Sequence, residues 1–305
     1  MSAAALAPIY ICGATASGKS ALALVVAEQV NGEIVNADAF QLYQGLEIVS
    51  AAPSADEQAR LPHHLYGVIP PDQSADAGSY LRMASPVIAE IQSRGKTPIV
   101  TGGSGLYLKF LTHGPAPLPQ GDPQLRAELD ARPLQDLVDE LRKLDPVEAS
   151  RTALANRRFV TRALEICLLT GDRASDLRDQ WASRTSEIAS RLRGIVIHRE
   201  RADLHARIAR RTRAMLDSGA IEEVAALAEV SANAEKAIGI REIRAHLAGE
   251  LSRSACAERI DAATRQYAKR QATWFRRETW LRPLEWSANL PLPPPIPADW
   301  LASDQ

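Results

Sequence analysis

The string Gly13, Ala14, Thr15, Ala16, Ser17, Gly18, Lys19, Ser20 follows the spacing G-x-x-x-x-G-K-[ST]. Residues of these types at this spacing handle phosphate chains. The glycines let the backbone turn tightly, successive N–H groups form a concave nest, and a helix N-terminus adds partial positive charge. Lys19 would reach the outer phosphate, and the Ser20 hydroxyl would ligate Mg²⁺. The plain alternative is a glycine turn ahead of an ordinary helix, and the complete string in a strand-to-helix setting weighs against it. A carboxylate, Asp38, follows "EIVNA", at the carboxyl end of a strand, where ligands of parallel sheets bind. It reads as a general base or metal partner facing the phosphates, or as the cap of the turn that follows.

The elements that would position these groups are legible in the patterning. Apolar stretches at 9 to 12, 33 to 36 and 97 to 101 read as buried strands, and they alternate with helical periodicity near 19 to 30, 77 to 94 and 104 to 112. Such alternation implies a P-loop NTPase-like α/β fold, a parallel sheet flanked by helices. The turn-rich "GPAPLPQGDP" at 114 to 123 reads as a linker into a stretch of successive helices, and "RGIVIHRE" at 193 to 200 as one more strand. The expected organisation is a core of residues 1–121 and 191–290, a smaller all-helical insertion domain at 122–190, and an extended Pro-rich tail at 291–305. Further helices are expected at 203 to 217, 220 to 229, 239 to 248 and 255 to 277.

With 305 residues, 46% hydrophobic and 24% charged, the chain has the composition of an ordinary globular protein and can carry one large and one small domain. Three widely spaced cysteines, Cys12, Cys167 and Cys256, suggest neither a disulfide framework nor a zinc site, and fit a reducing, cytoplasmic setting. The N-terminal "MSAAALAPIYICG" lacks the basic start of a leader, and no apolar stretch approaches the ~20 residues of a membrane span. A formal net charge of -1 excludes the uniformly basic surface that coats duplex DNA. The basic residues are clustered instead: Arg199, Arg201, Arg207, Arg210, Arg211 and Arg213 in one stretch, and Arg259, Arg265, Lys269, Arg270, Arg276 and Arg277 in another. Each run reads either as a solvated helix face or, with aromatics interleaved in the second, as a surface for single-stranded nucleic acid.

ATP-handling relatives of this loop usually carry a strand-end Asp for Mg²⁺, whereas the stretch "TPIVTGGSG" ends in Thr101, Gly102, Gly103 and Ser104. From here the strings become specific. "GATASGKS", "NADAFQLYQGLEI", "HHLYGV", "TPIVTGGSGLYLKFL", "LHARIARRTRAMLDSGAIEEV", "AIGIREI" and "ATRQYAKRQATWFR" together resemble the tRNA dimethylallyltransferase family, in order, over roughly residues 9 to 277.

The resemblance implies transfer of a dimethylallyl group from dimethylallyl diphosphate to the N6 amine of the adenosine immediately 3′ of the anticodon, with the loop holding the diphosphate. It implies Asp38 as the group that accepts the amine's proton, Ser104 as a hydroxyl that orients the amine where the family usually has Thr, and Arg207 as an arginine reaching the diphosphate. Arg207 read on its own is equally a surface residue of an exposed helix. The family's RNA contacts fall on Asp38, Ala39, Phe40 and Gln41, on Ser104, on Arg126, and on Arg158, Phe159, Val160, Thr161 and Arg162. In the last long helix, Arg265 and Lys269 are spaced to meet phosphates, while Tyr267, Arg270 and Trp274 form a strip that stacks on bases or packs in a core. His63 and His64 match a family turn and read as structural or phosphate-neighbouring residues. Partners on this view are tRNA and dimethylallyl diphosphate, with no membrane, and the chain is expected to be a monomer. No zinc-finger-like extension follows residue 277, as in the shorter bacterial form.

Three positions depart from the family pattern. Ala39 replaces a serine, Ala52 in "VSAAP" replaces a lysine, and Phe159 stands where a polar or basic residue is common; rate or tRNA preference is what these would alter. The competing functions are a P-loop kinase of small molecules or nucleotides, and a noncatalytic RNA-binding protein that retains the loop.

Overall fold

The computed structural model describes residues 6–287 and residue 296. In chain order the elements are β1 (Ile9–Gly13), α1 (Lys19–Gln29), β2 (Gly32–Asn36), α2 (Ala55–Arg60), β3 (His63–His64), α3 (Ala77–Ser93), β4 (Thr97–Gly102) and α4 (Gly105–His113). Five helices follow: α5 (Pro123–Asp130), α6 (Leu134–Leu144), α7 (Pro146–Arg151), α8 (Arg157–Thr170) and α9 (Ala174–Ser190). The chain then forms β5 (Arg193–His198), α10 (Arg201–Asp217), α11 (Ala220–Ala226), α12 (Ile240–Leu247), α13 (Arg253–Phe275) and β6 (Leu281–Glu285).

The six strands form one parallel sheet in the order β3-β2-β4-β1-β5-β6. β1, β2 and β4 are buried along their whole length, as strands covered by helices on both faces must be, and the apolar stretches at 9–12, 34–35 and 99–100 within them follow from that. Ile9, Ile11, Leu22, Leu24, Ile34, Ile99, Ile195 and Ile197 make the core between the sheet and α1. Because β1 lies between β4 and β5, and β2 lies beyond β4, the loops leaving β1, β2 and β4 open at one edge of three neighbouring strands. In a doubly wound sheet that edge is where a ligand is received.

Two strands escape the sequence pattern. β3 is only two residues long, and β6 contains Arg282 and Pro283, which break an apolar run. Pro283 is tolerated because β6 is the edge strand and one of its sides carries no ladder.

The chain divides into two compact units, one built from the chain up to Thr112 and again from Leu192 onward, the other from His113–Arg191. The second unit therefore starts ahead of the turn-rich stretch rather than at residue 122. It is all helical, and its core joins Leu129, Leu137, Leu141, Val160 and Leu164. Asp145 is fully buried there and accepts hydrogen bonds from the Glu148 N–H (2.8 Å) and from the Ser175 N–H and hydroxyl (2.8 Å each), joining the starts of α7 and α9. Of the expected Pro-rich tail, all but Ile296 lies outside the described residues; Ile296 packs against the core that holds α1.

Candidate active site

The phosphate loop leaves β1 and enters α1 through Gly18, which caps the helix at φ 98°. A side chain there would be strained in the left-handed region, and a Cβ would lie 2.9 Å from the Trp286 ring, so glycine is required twice over. Lys19 and Ser20, half-buried, occupy the first turn of α1. Burial pushes the Lys19 ammonium below its ordinary value of 10.5; Asp38 partly offsets this and Arg211 adds to it. An anion on the loop would favour the charged form in the same way as Asp38 does.

The loop is braced by residues far away in sequence. The Thr15 N–H donates to Gln271 Oε1 (2.8 Å), and Gln271 Nε2 donates in turn to the Gly103 carbonyl (3.0 Å). A Cβ at Gly103 would sit 2.2 Å from that amide nitrogen, so the glycine lets α13 tie the loop after β1 to the loop after β4. Arg207 Nε donates to the Ala16 carbonyl (2.7 Å), which places its guanidinium against the loop and not on a free surface.

Asp38 is 9% exposed and is set by Asn36, the last residue of β2. Asn36 Oδ1 accepts the Asp38 N–H (2.7 Å), and its Nδ2 donates to the carbonyls of Leu65 (2.9 Å) and Asp38 (3.1 Å). One Asp38 oxygen, Oδ1, accepts the Phe40 N–H (3.1 Å). The turn-capping role is thus present, and it holds the carboxylate at the cavity rather than competing with a chemical role. Ser104 Oγ accepts the Ala39 N–H (2.8 Å), and Ser104 N–H donates to the Ala37 carbonyl (3.2 Å), so the turns after β2 and β4 are locked together. Gln41 turns away from this centre: its Nε2 donates to the carbonyls of Ser50 and Ala51.

A cavity opens between these loops. Polar residues Thr15, Asp38, Ser50, Arg211, Thr212 and Thr264 and apolar residues Val49, Met215, Ala237, Ile238 and Ile260 line it together. Phe40 and Tyr267 also line it, with ring centroids 6.2 Å apart. Burial, with Asp38 nearby, raises the Tyr267 phenol well above its ordinary value, while side-chain bonds to Ser104 and Gln271 pull the other way. Tyr267 therefore belongs to the site, whereas Trp274 is a packing residue whose ring lies over Gly105.

Patterning missed Arg211, Thr212, Met215 and Thr264 as cavity residues, and Gln271 as a brace. Arg211 lay within the first basic run, and a helical wheel gives the signal: Arg207 and Arg211, one turn apart, face inward while Arg201, Arg210 and Arg213 are exposed. His63 and His64 are in β3, with His64 Nε2 2.7 Å from Glu33 Oε2 and His63 Nδ1 2.9 Å from the Leu61 carbonyl; these contacts are those of structural residues.

No group of three or more His, Cys, Asp or Glu among the described residues could hold a metal ion. A Mg²⁺ ion taking most of its ligands from water and from substrate phosphates needs no such group, and the Ser20 oxygen at the loop's helix end fits that donor set.

In the helical unit, Arg126, Asp130, Arg157, Arg158, Thr161 and Arg162 line a groove. Glu165, fully buried, accepts from Arg126 Nη2 (2.8 Å) and Arg162 Nη1 (2.6 Å). Burial alone would raise its carboxyl, and the bonds from Arg162, Arg126 and the Asp122 N–H hold it below the ordinary value. Phe159 is exposed at 53%. Val160 corrects the expectation of an RNA contact: it is fully buried in the unit's own core, because it lies on the opposite face of α8. Thr161 is nearly buried and contributes only an edge of the groove, its hydroxyl 3.3 Å from Asp130 Oδ1. In α13, Arg265 is half-buried and Lys269 exposed.

A family model described as IPP transferase matches residues 41–278, and one described as isopentenyl transferase matches residues 8–66. The chain belongs to the IPP transferase family. It is similar to the tRNA dimethylallyltransferase of Akkermansia muciniphila, at 44% identity covering 90% of this chain and 92% of that one, and to the tRNA dimethylallyltransferase of Geobacter sulfurreducens, at 42% identity with 92% of each chain covered. Among solved structures it resembles the tRNA isopentenylpyrophosphate transferase of Bacillus halodurans (TM-score 0.66, 30% identity, 93% of this chain and 91% of that chain). It also resembles a eukaryotic dimethylallyltransferase acting on tRNA (TM-score 0.75, 25% identity, 92% and 74%). The protein is accordingly a prenyltransferase with a parallel sheet flanked by helices. No helix among the described residues is long and apolar enough to cross a membrane.

Proposed function

We propose that this protein transfers the dimethylallyl group of dimethylallyl diphosphate to the N6 amine of the adenosine 3′-adjacent to the anticodon of tRNA, releasing diphosphate. The observation that carries the reading is the convergence of the phosphate loop, Asp38 and Ser104 on one edge of the sheet, beside a cavity lined by both polar and apolar side chains. A prenyl diphosphate likewise combines an anionic head with a branched apolar tail.

In the reaction, the adenosine nitrogen forms a bond to the allylic carbon as the bond from that carbon to the diphosphate oxygen breaks. The bonding pair leaves with the diphosphate, and the amine's proton passes to an Asp38 oxygen. The loop N–H groups, Lys19 and Arg207 face the charge that builds on the departing oxygens, and because they are already in place they need not reorganise. Mg²⁺, held by Ser20 and the phosphates, would neutralise part of the same charge when bound. Ser104 orients the turn that carries Asp38 and Ala39, and with it the incoming amine; an aromatic amine is a weak nucleophile, so orientation and proton removal are the assistance it needs.

The adenine must leave its loop stack to reach the cavity, which a single-stranded loop permits at low cost. We assign Ala39 and Phe40 to the neighbourhood of that base, Arg126, Arg158 and Arg162 of the helical unit, with Arg265 and Lys269 of α13, to the RNA backbone, and the exposed Phe159 ring to stacking on an RNA base. A cytoplasmic monomer is part of the same proposal. The prenyl-transfer reading is supported against a phosphate-transfer function by Gly102 at the end of β4 and Gly103 and Ser104 just after it, where a kinase would place an Asp. Purified protein incubated with tRNA and dimethylallyl diphosphate should yield a prenylated adenosine by nucleoside mass spectrometry. Label transfer from ATP to small acceptors, with no modified base, would overturn the reading.

A further inference from the structure

The phosphate loop is gripped at consecutive residues: Thr15 by Gln271, Ala16 by Arg207, Ser17 by Arg199 and Gly18 by Trp286. The last two contacts are linked through a single side chain. Arg199 Nε donates to the Ser17 carbonyl (2.6 Å), Nη1 donates to Asp203 Oδ2 (2.6 Å), and the guanidinium stacks over the Trp286 ring at 4.3 Å from its centroid. The Arg199 side chain is only 2% exposed. Trp286, 1% exposed, is held by donation of its N–H to the His198 carbonyl (2.8 Å) just beyond β6.

A buried guanidinium is retained where several partners hold it in one geometry. Here that geometry has a consequence for the donor site. In a planar trans peptide the carbonyl and the following N–H point in opposite directions. Drawing the Ser17 carbonyl outward to Arg199 turns the Gly18 N–H inward, toward the nest, at the residue where α1 begins. Trp286 closes the outer side of the same peptide, and the contact it makes is one that a Cβ at Gly18 would obstruct.

We propose that Arg199, backed by Trp286, is a positioning residue of the donor site: it sets the Ser17–Gly18 peptide so that its N–H faces the diphosphate, without touching the reacting atoms. The inference rests on the loop being the diphosphate site. It also gives the C-terminal strand β6 a task, since the chain emerging from it delivers Trp286 to the loop.

The test uses the full chain and two readouts, binding of inorganic diphosphate by calorimetry and steady-state kinetics with tRNA. Arg199→Ala should weaken diphosphate binding roughly tenfold or more, as loss of a charge-assisted hydrogen bond would, and raise the donor KM while leaving the tRNA KM unchanged. Arg199→Lys keeps the charge and loses both the planar stack and the directed Nε bond, so it should behave like the alanine variant. Trp286→Phe, which removes no charge, should give a smaller rise in donor KM alone, and it serves if Arg199→Ala fails to fold. Full rescue by lysine would show that bare charge is what matters and would overturn the proposal. So would unchanged diphosphate affinity in folded Arg199→Ala, or an equal rise in both KM values. A wild-type chain that does not bind diphosphate would sink the loop assignment itself, and this inference with it.

Discussion

In the phosphate loop the groups proposed to face a ligand are main-chain N–H groups, Lys19 and Arg207, on a loop braced by Gln271, Arg207 and Arg199 from elements remote in sequence. In the groove of the His113–Arg191 unit they are arginine side chains, and Arg126 and Arg162 share one buried carboxylate, Glu165. The first arrangement cannot change without moving the backbone, which suits charge that develops during a reaction. The second can exchange a carboxylate oxygen for a phosphate oxygen, and its exposed charges are screened by salt, which suits reversible capture of RNA. Chemistry and substrate grip are thus separable, and variants should divide accordingly.

The largest separation is expected from Asp38→Asn. It keeps the shape and the bond to the Phe40 N–H and removes the proton acceptor, so kcat should fall roughly 100- to 10,000-fold with tRNA affinity retained. Single-turnover kinetics with labelled donor would check this, and near wild-type turnover would exclude Asp38 from proton transfer.

Lys19→Ala should raise the donor KM by roughly tenfold to a hundredfold through the lost charge, leaving the tRNA KM alone. The same lysine gives the donor site a pH dependence. Burial holds its ammonium below 10.5, and bound diphosphate favours the charged form, so binding takes up a proton once the pH exceeds that lowered value. Donor affinity should therefore decline with rising pH earlier than for an ordinary lysine. Calorimetry with inorganic diphosphate at rising pH below 10.5, comparing the wild type with Lys19→Ala so that the ligand's own titration cancels, would register it, and profiles of the same shape would remove Lys19 from the contact.

Met215→Ala enlarges the cavity at an apolar lining residue. The ratio of kcat/KM for a geranyl over a dimethylallyl donor should rise about tenfold, with a stability loss of about 2 kcal/mol from the truncated buried side chain. Competition between the two donors would measure the first effect and urea unfolding the second. An unchanged ratio would place the prenyl tail elsewhere.

The smallest effect is expected in the groove. Arg158→Ala should weaken tRNA binding about threefold and reduce the slope of log affinity against log salt by about one, with the donor KM unchanged. A steady donor KM together with an unaltered salt slope would move the RNA surface off α8.

The sheet and most helices were legible because each is written in a short window. The apolar runs at Ile9–Gly13, Gly32–Asn36 and Thr97–Gly102 are strands buried on both faces, and the glycine string falls between β1 and α1 as its spacing requires. β6 was not legible, since Arg282 and Pro283 hide an edge strand that only its partner β5 reveals. Within the site, Asp38, Ser104 and Lys19 stood out through motif and context. Arg211, Met215 and Gln271 did not, because an arginine, a methionine or a glutamine on a helix carries no local sign of which face a distant loop will meet. Val160 erred in the other direction: proximity to Arg158 and Arg162 in sequence suggested a shared role, and the helical turn put it in the core.

The amino-acid order alone determined that a strand, a glycine-rich turn and a helix would follow one another near the N-terminus, since hydrogen bonding within a turn and apolar periodicity depend on neighbours a few residues apart. Only the tertiary structure decided what that turn faces. Strand order brings Gln271, 256 residues further along the chain, to the Thr15 N–H, and carries Trp286 to Gly18. It also selects Arg199, Arg207 and Arg211 from a run of similar arginines. Such pairings follow from how the sheet closes around its core, a property of the whole chain that no short window of it contains.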